Sequence, residues 1–422
     1  MKRLWKTVPP CMSDVIGFEA VMNNTDGLGI IDDPSRYKPI RLAGSQDTFG
    51  GHGGFGGGHG KPDFAAMHTG TAPENHDRRG SFGDGHGRPF GHGGRGGDIK
   101  VVNSDIRNED IIRGTEQKVL AAFDSRRGSD PKFVLLSCAP SSSMIGSDLE
   151  ADAEKISESG SIPAAAAKTD GSKDYVFGAG EALLSIGRLL IKPAHPVPGT
   201  VNILGCNSID WLPEEYASFK AGLEEAGLRI VSVWGMKETT DNFALAASAE
   251  MNIVVNESGL KLARFMESEF GTPYICGAPF GRENAEKLIS SVKNGAEAET
   301  APEVSESESA NIVVIGEQFT ANAIRTTLEA MGYSGIRVLS FFDMDKSCMR
   351  PGDAKLQSED DLAEKCSGAK VIFGDRDYRI AAKTDAEWIG LPNPGSASAV
   401  DPTPNFNKVG AALDARLAEA LR

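Results

Sequence analysis

Histidine, paired cysteine and long apolar runs are what this 422-residue chain has least of. Its six cysteines, at 11, 138, 206, 276, 348 and 366, are scattered and form no Cys-x-x-Cys pair. That excludes a disulfide framework and suits a reducing cytosol, so a cytoplasmic location is expected. No apolar run approaches the roughly 18 residues of a membrane span, so no contact with a membrane is expected. The start, MKRLWKTVPP, is basic but has no apolar core behind it and does not read as a signal peptide. No Gly-x-x-x-x-Gly-Lys-Ser/Thr stretch occurs, which excludes a P-loop ATPase, and no Gly-x-Gly-x-x-Gly follows the apolar runs Val201–Leu204 or Asn311–Ile315. His195, in Pro-Ala-His-Pro, is the sole histidine outside residues 45–97, so no Ser-His-Asp arrangement is available. Basic charge is also short: 44 Lys and Arg stand against 59 Asp and Glu, net charge −15. Non-specific nucleic-acid binding is therefore not expected.

Residues 45–97 hold 18 of the 49 glycines and six of the seven histidines, His52, His59, His68, His76, His86 and His92. Such a stretch cannot bury enough apolar surface to offset the entropy of ordering it. It reads as a disordered Gly/His-rich insert. Imidazoles suit borderline metals such as Ni²⁺ or another divalent ion, though the irregular spacing defines no single site.

Elsewhere apolar runs alternate with helical patterns. Phe133–Ser137 reads as a buried strand, Ala139–Gly146 as a Ser-rich loop, and Ser147-Asp148-Leu149-Glu150 as a capping box opening a helix. Cys138 falls at the strand end. Ligands bind at the carboxyl ends of strands in open α/β sheets, yet a free Cys is also a common buried hydrophobe. Repeated βα units imply parallel sheets. The expected organisation is α/β with three Rossmann-like domains. Residues 1–197 form the first, interrupted by the insert, and 198–295 the second. An acidic linker, 296–310, leads to a third domain at 311–400 and a terminal helix within 401–422, where Val409, Leu413, Leu417 and Leu421 recur at i+4.

Three such units in this order, with FVLLSCAPSSSMIGSDLEADAEK in the first, resemble the nitrogenase component 1 type oxidoreductases. That family includes nitrogenase MoFe subunits, cofactor-scaffold relatives, protochlorophyllide reductase subunits and a nickel-tetrapyrrole reductase. The strongest portion runs from Ile106 to Gly171. AEMNIVVNESGLKLARFMESEFGTPYICGAPFG resembles the second domain and NIVVIGEQFTANAIRTTLEAMGY the third. The resemblance implies an iron–sulfur cluster at a subunit interface. Cys138 matches one ligand and Cys11 another. A further Cys of the family has no counterpart near Tyr37, beyond Asp32-Asp33-Pro34. Asn256 stands where the catalytic nitrogenase subunit has its cofactor Cys, the late cofactor His is missing, and Cys276 matches no cofactor position. A [4Fe–4S] cube takes four ligands, which Cys11 and Cys138 from two chains would supply if it lay on a symmetry axis or between paralogous subunits.

The function implied is an oxidoreductase subunit, paired as a homodimer or with a paralogous component 1 chain. It would accept electrons from a separate P-loop, ATP-dependent iron–sulfur reductase and reduce a small molecule or tetrapyrrole. The alternative is a non-catalytic metallocofactor scaffold or Ni/Fe carrier using the His-rich insert. A small-molecule-binding α/β protein without a cluster is the third reading.

Overall fold

The computed structural model describes residues 11–34, 100–294, 311–396 and 406–422. The insert with its six histidines, Tyr37 and the acidic linker lie outside the described residues.

Three parallel sheets build the chain, each flanked by helices. The first lobe contains α1 (Asp14–Met22), β1 (Leu28–Asp32), β2 (Val101–Asn103), α2 (Asn108–Arg113), α3 (Glu116–Asp124), β3 (Val134–Cys138), α4 (Pro140–Ile145), α5 (Leu149–Gly160), β4 (Ala164–Ala166) and α6 (Tyr175–Leu190). Its strand order is β2-β1-β3-β4. The second contains β5 (Val197–Leu204), α7 (Pro213–Glu225), β6 (Arg229–Trp234), α8 (Thr240–Ala244), β7 (Ala249–Val254), α9 (Leu260–Phe270), β8 (Tyr274–Cys276) and α10 (Arg282–Asn294), in the order β6-β5-β7-β8. The third contains β9 (Ile312–Ile315), α11 (Gln318–Ala330), β10 (Ile336–Ser340), β11 (Ala354–Lys355), α12 (Glu359–Lys365), β12 (Val371–Gly374), α13 (Tyr378–Ala382) and β13 (Glu387–Gly390), in the order β11-β10-β9-β12-β13. Helix α14 (Ala411–Ala420) returns to α10 and α11 with Leu413 and Leu417 buried. Among the described residues, no helix is long and apolar enough to cross a membrane.

The central strands are buried on both faces, as parallel sheets covered by helices require. β1 (LGIID) and β3 (VLLSC) are buried throughout and pair in register, Leu28 opposite Val134 and Asp32 opposite Cys138. Two local expectations change. The Ser-rich loop after Cys138 is the short helix α4, whose Pro140 sits in the first turn, where the missing N–H is harmless. The cap of α5 is Asp148, whose side chain accepts from the Ala151 N–H at 3.1 Å. Ser147 is instead drawn into a 2.9 Å bond with Thr115. A tertiary partner has outcompeted the local one.

Helix α1 is buried along its whole length, in keeping with an apolar pattern that runs all round it. Glu19, like Asp14 in the first turn, is an exception. It is 4% exposed, and its Oε1 has no partner. Burial raises its carboxyl from 4.5 to about 7, against a smaller opposing effect of Asn23. A raised carboxyl binds its proton more tightly in the folded state. Its stabilising contribution is therefore complete below about pH 4.5 and lost as pH rises through about 7. Stability should fall by about 2–3 kcal/mol between pH 5 and pH 8 on account of this group. Glu19→Gln should remove that part of the slope in urea denaturation at the two pH values; an unaltered slope would contradict it.

Candidate functional site

The first lobe presents its strand ends as a compact polar mouth. β1 ends in Asp32 and β3 in Cys138, neighbours across the ladder. The Cys138 N–H donates to Thr169 Oγ1 at 3.1 Å, and Thr169 also bonds the Ser137 hydroxyl at 2.8 Å. Ser142 on α4 donates to the Asp32 carbonyl at 2.5 Å, Ser141 to Asp33 Oδ1 at 2.9 Å, and Ser104 to Asp32 Oδ1 at 2.6 Å. These serines tie α4 and the chain after β2 to the end of β1. One oxygen remains over: Asp32 Oδ2 is buried without a hydrogen-bond partner. The Cys138 thiol, 7% exposed, is pushed up to about 12, first by burial and then by Asp32, Asp170, Asp33 and Asp14. The mouth is thus short of positive charge.

Beside it lies an exposed apolar surface. Ile111 and Ile112 on α2, and Met144 and Ile145 on α4, are 43%, 88%, 88% and 37% exposed. The Thr115–Ser147 bond joins the chain just beyond the two helices.

Cys11 is held elsewhere. Its sulfur lies 3.8 Å from the Tyr378 hydroxyl of α13, and it packs against core residues of the third lobe. Burial, with a smaller contribution from Asp174, pushes this thiol up to about 12, although the Tyr378 contact pulls the other way. Different carboxylates act on the two thiols, Asp174 and Asp375 on Cys11, and Asp32, Asp170, Asp33 and Asp14 on Cys138. Among the described residues, no group of three or more His, Cys, Asp or Glu side chains is arranged to hold a metal ion. The described part of one chain therefore carries at most part of a ligand set.

Sequence reasoning missed a second polar centre, where strand ends of the second and third lobes meet α6. Tyr175 donates to Asp210 Oδ1 at 2.6 Å, while Asn207 and Asn256 donate to Asp210 Oδ2 at 3.0 and 2.8 Å. Asn256 is fully buried and also accepts from Ser258 N and Oγ, so its side chain is committed to the fold. Glu317 caps α11 through Phe319 and Thr320 and accepts from the Glu257 N–H at 3.2 Å. Burial raises Glu317 to about 7. Glu257 is raised to about 8 by burial and by Asp343, with Lys261 opposing. Lys355 pairs with Asp343 and with Asp174. The available signal was positional, since Asn207, Asn256 and Glu317 all follow closely on the ends of predicted strands.

A family profile described as Nitrogenase component 1 type Oxidoreductase matches residues 85–322. The chain is 28% identical over 199 residues to the nitrogenase iron-molybdenum cofactor biosynthesis protein NifE of Nostoc sp. (strain PCC 7120), covering 45% of this chain and 40% of that protein. It is 27% identical over 188 residues to a light-independent protochlorophyllide reductase chain of Prosthecochloris aestuarii, covering 42% and 34%. It is 25% identical over 186 residues to the nitrogenase molybdenum-iron protein alpha chain of Acidithiobacillus ferridurans, covering 41% and 37%. These matches span about two fifths of the curated relatives' length. In fold, the chain is similar to a structure titled Nitrogenase Cp1 at pH 6.5, with a TM-score of 0.67 at 11% identity, over 100% of this chain and 93% of the other.

Proposed function

The chain belongs to the nitrogenase component 1 type oxidoreductase family, and from that premise we propose that it is a component 1-like subunit taking electrons through a cluster shared with a second chain. The observation that carries this reading is the Cys138 loop: a thiol at a strand end, followed at once by α4 with Met144 and Ile145 exposed, while α2 exposes Ile111 and Ile112. A patch of that kind beside a polar mouth marks an interface with another protein. The partner is a second component 1-type chain, identical or paralogous, and a separate ATP-dependent iron–sulfur reductase is the electron donor.

The residues present suit such a group. Cys138 would be the first ligand, and the unpartnered Asp32 Oδ2 beside it is a further oxygen donor. When bound, a [4Fe–4S]-type cluster supplies one-electron storage at the interface. The protein's part is to hold the thiol at the strand end through Thr169, keep α4 against Asp32 and Asp33 through Ser141 and Ser142, and exclude water with the apolar flank. Cys11 is proposed as the second ligand, which requires it to leave Tyr378.

Anaerobically purified protein should carry iron and sulfide and show a cluster signal by electron paramagnetic resonance. Cys138→Ala should lower the iron content at least about twofold, because it removes half of a four-ligand set from a paired cluster; full retention of iron and absorbance would sink the proposal. Cys11→Ala decides the second ligand in the same assay. Combining Ile112→Glu with Met144→Glu should shift the assembly to single chains in gel filtration, since each buries a charge at the interface.

A second reading, a metallocofactor scaffold or Ni/Fe carrier, draws on the cofactor biosynthesis role in the name of the Nostoc relative and on Asn256 in the place of a cofactor thiol. Its histidines, His52 to His92, lie outside the described residues. Deleting residues 50–97 separates the two, because unchanged metal binding removes the carrier's main support.

A further inference from the structure

Two cysteines that neither the family resemblance nor the proposed cluster uses meet across the boundary between the second and third lobes. Cys276 is the last residue of β8. Cys348 closes a single 3-10 turn, Lys346–Cys348, beyond β10. Both line a cavity of about 1020 Å³ walled by α10 and α11, and both are half-buried rather than sealed in the core. Their thiols lie near enough for each to shift the other's acidity. Cys138, Cys206 and Cys366 are buried by contrast.

The pair is held in place from both sides. Gln318 on α11 grips Asp345 twice, accepting from its N–H at 2.8 Å and donating to its carbonyl at 2.9 Å. Asn322 donates to the Cys348 carbonyl at 3.0 Å. Arg264 on α9 reaches across the boundary to Asp345 Oδ2 at 2.7 Å. The turn carrying Cys348 is therefore fixed against the second lobe, three residues from an interlobe ion pair. Two half-buried sulfurs carried by different lobes and facing one cavity are arranged to be joined and released.

We propose that Cys276 and Cys348 are a redox-active dithiol that exchanges with low-molecular-weight disulfides entering this cavity, and that the resulting bond staples the second lobe to the third. Cys348 is the attacking thiol. Its acidity is raised chiefly by the neighbouring Cys276 thiol, then by Ser347, whose hydroxyl lies 3.8 Å away, and by the Arg264 charge. Cys276, beside Cys348 and largely desolvated, holds its proton more tightly. In the first step the Cys348 sulfur attacks one sulfur of R–S–S–R, and RS⁻ leaves. In the second the Cys276 sulfur attacks Cys348 in the mixed disulfide, its proton passes to the first RS⁻, and the second RS⁻ departs to take up the proton first released by Cys348. The protein loses two electrons and two protons, and the small disulfide is reduced to two thiols.

The test uses the full chain, reduced and then titrated anaerobically with glutathione disulfide. After acid quenching and alkylation, peptide mapping should find Cys276 linked to Cys348 while Cys138, Cys206 and Cys366 remain alkylated. Cys276→Ser should stop at a mixed disulfide on Cys348. Cys348→Ser should slow the reaction of Cys276 at least about tenfold. Oxidation of Cys11 or Cys138 ahead of this pair, or glutathione landing elsewhere in Cys276→Ser, would overturn the assignment. The wild-type map decides the matter even where a variant folds poorly.

Discussion

Gly178→Ala should leave the chain without a folded first lobe. A Cβ at Gly178 would lie 1.9 Å from the Asp14 carbonyl oxygen and 2.4 Å from its C and Cα. The relation is reciprocal, because a Cβ at Gly17 would meet the Tyr175 carbonyl oxygen at 1.9 Å and the Ala179 nitrogen at 2.7 Å. Helices α1 and α6 therefore cross with backbone against backbone. No side chain can rotate away to relieve the contact, so the helices must part. Parting them would expose Phe18, Ala179 and Leu183, each fully buried. Helix propensity favours Ala over Gly by only about 1 kcal/mol, whereas the loss of packing should exceed about 4 kcal/mol. The measurement is soluble yield together with the midpoint of thermal unfolding. Gly128→Ala is the control, since its Cβ would meet nothing within 4 Å. A Gly178→Ala protein within about 1 kcal/mol of wild type would refute the close crossing.

Asp353→Ala should destabilise the third lobe by about 3–5 kcal/mol, the usual cost of breaking a buried ion pair from one side. Both oxygens of Asp353 accept from Arg325 Nη1, at 2.7 and 2.8 Å, and the carboxylate also accepts from the Val338 and Arg350 N–H groups at 2.9 and 2.8 Å. The two side chains, Arg325 and Asp353, are 3% and 0% exposed. Arg325 already has its Nε without a partner, and burial lowers its affinity for a proton. Removing the carboxylate would strand the guanidinium beside two orphaned N–H groups. A double change, Arg325→Met with Asp353→Asn, should recover much of the loss, because the buried charge goes and an acceptor for one N–H remains. Urea denaturation of the single and double variants tests the pair; equal losses in both would show that the charge is not the cause.

The contrast between the two thiol sites shows what was legible. Cys138 was readable because the reasons for its position are local: an apolar strand before it and a capped helix after it. Its surroundings were not. Beyond burial, the carboxylates that disfavour its thiolate come from the end of β1, from α1 and from the loop before α6, and no pattern near residue 138 announces them. Cys11 sat in the expected place ahead of its helix, yet its contact is Tyr378 at the far end of the chain. Asn256 was singled out for what it is not, a thiol, while its role as partner of Asp210 and Ser258 emerged only from the packing.

From the sequence by itself come the α/β class, the serial βα units and most strand and helix positions, because periodicity and end signals act within a few residues of one another. The tertiary structure alone decided the strand order in each sheet, the backbone crossing at Gly17 and Gly178, the pairing of Arg325 with Asp353, and the meeting of Cys276 with Cys348. Those features join segments whose local sequences are independent. Their common cause is the burial of three sheets and their helices in contact, and that is a property of the whole chain.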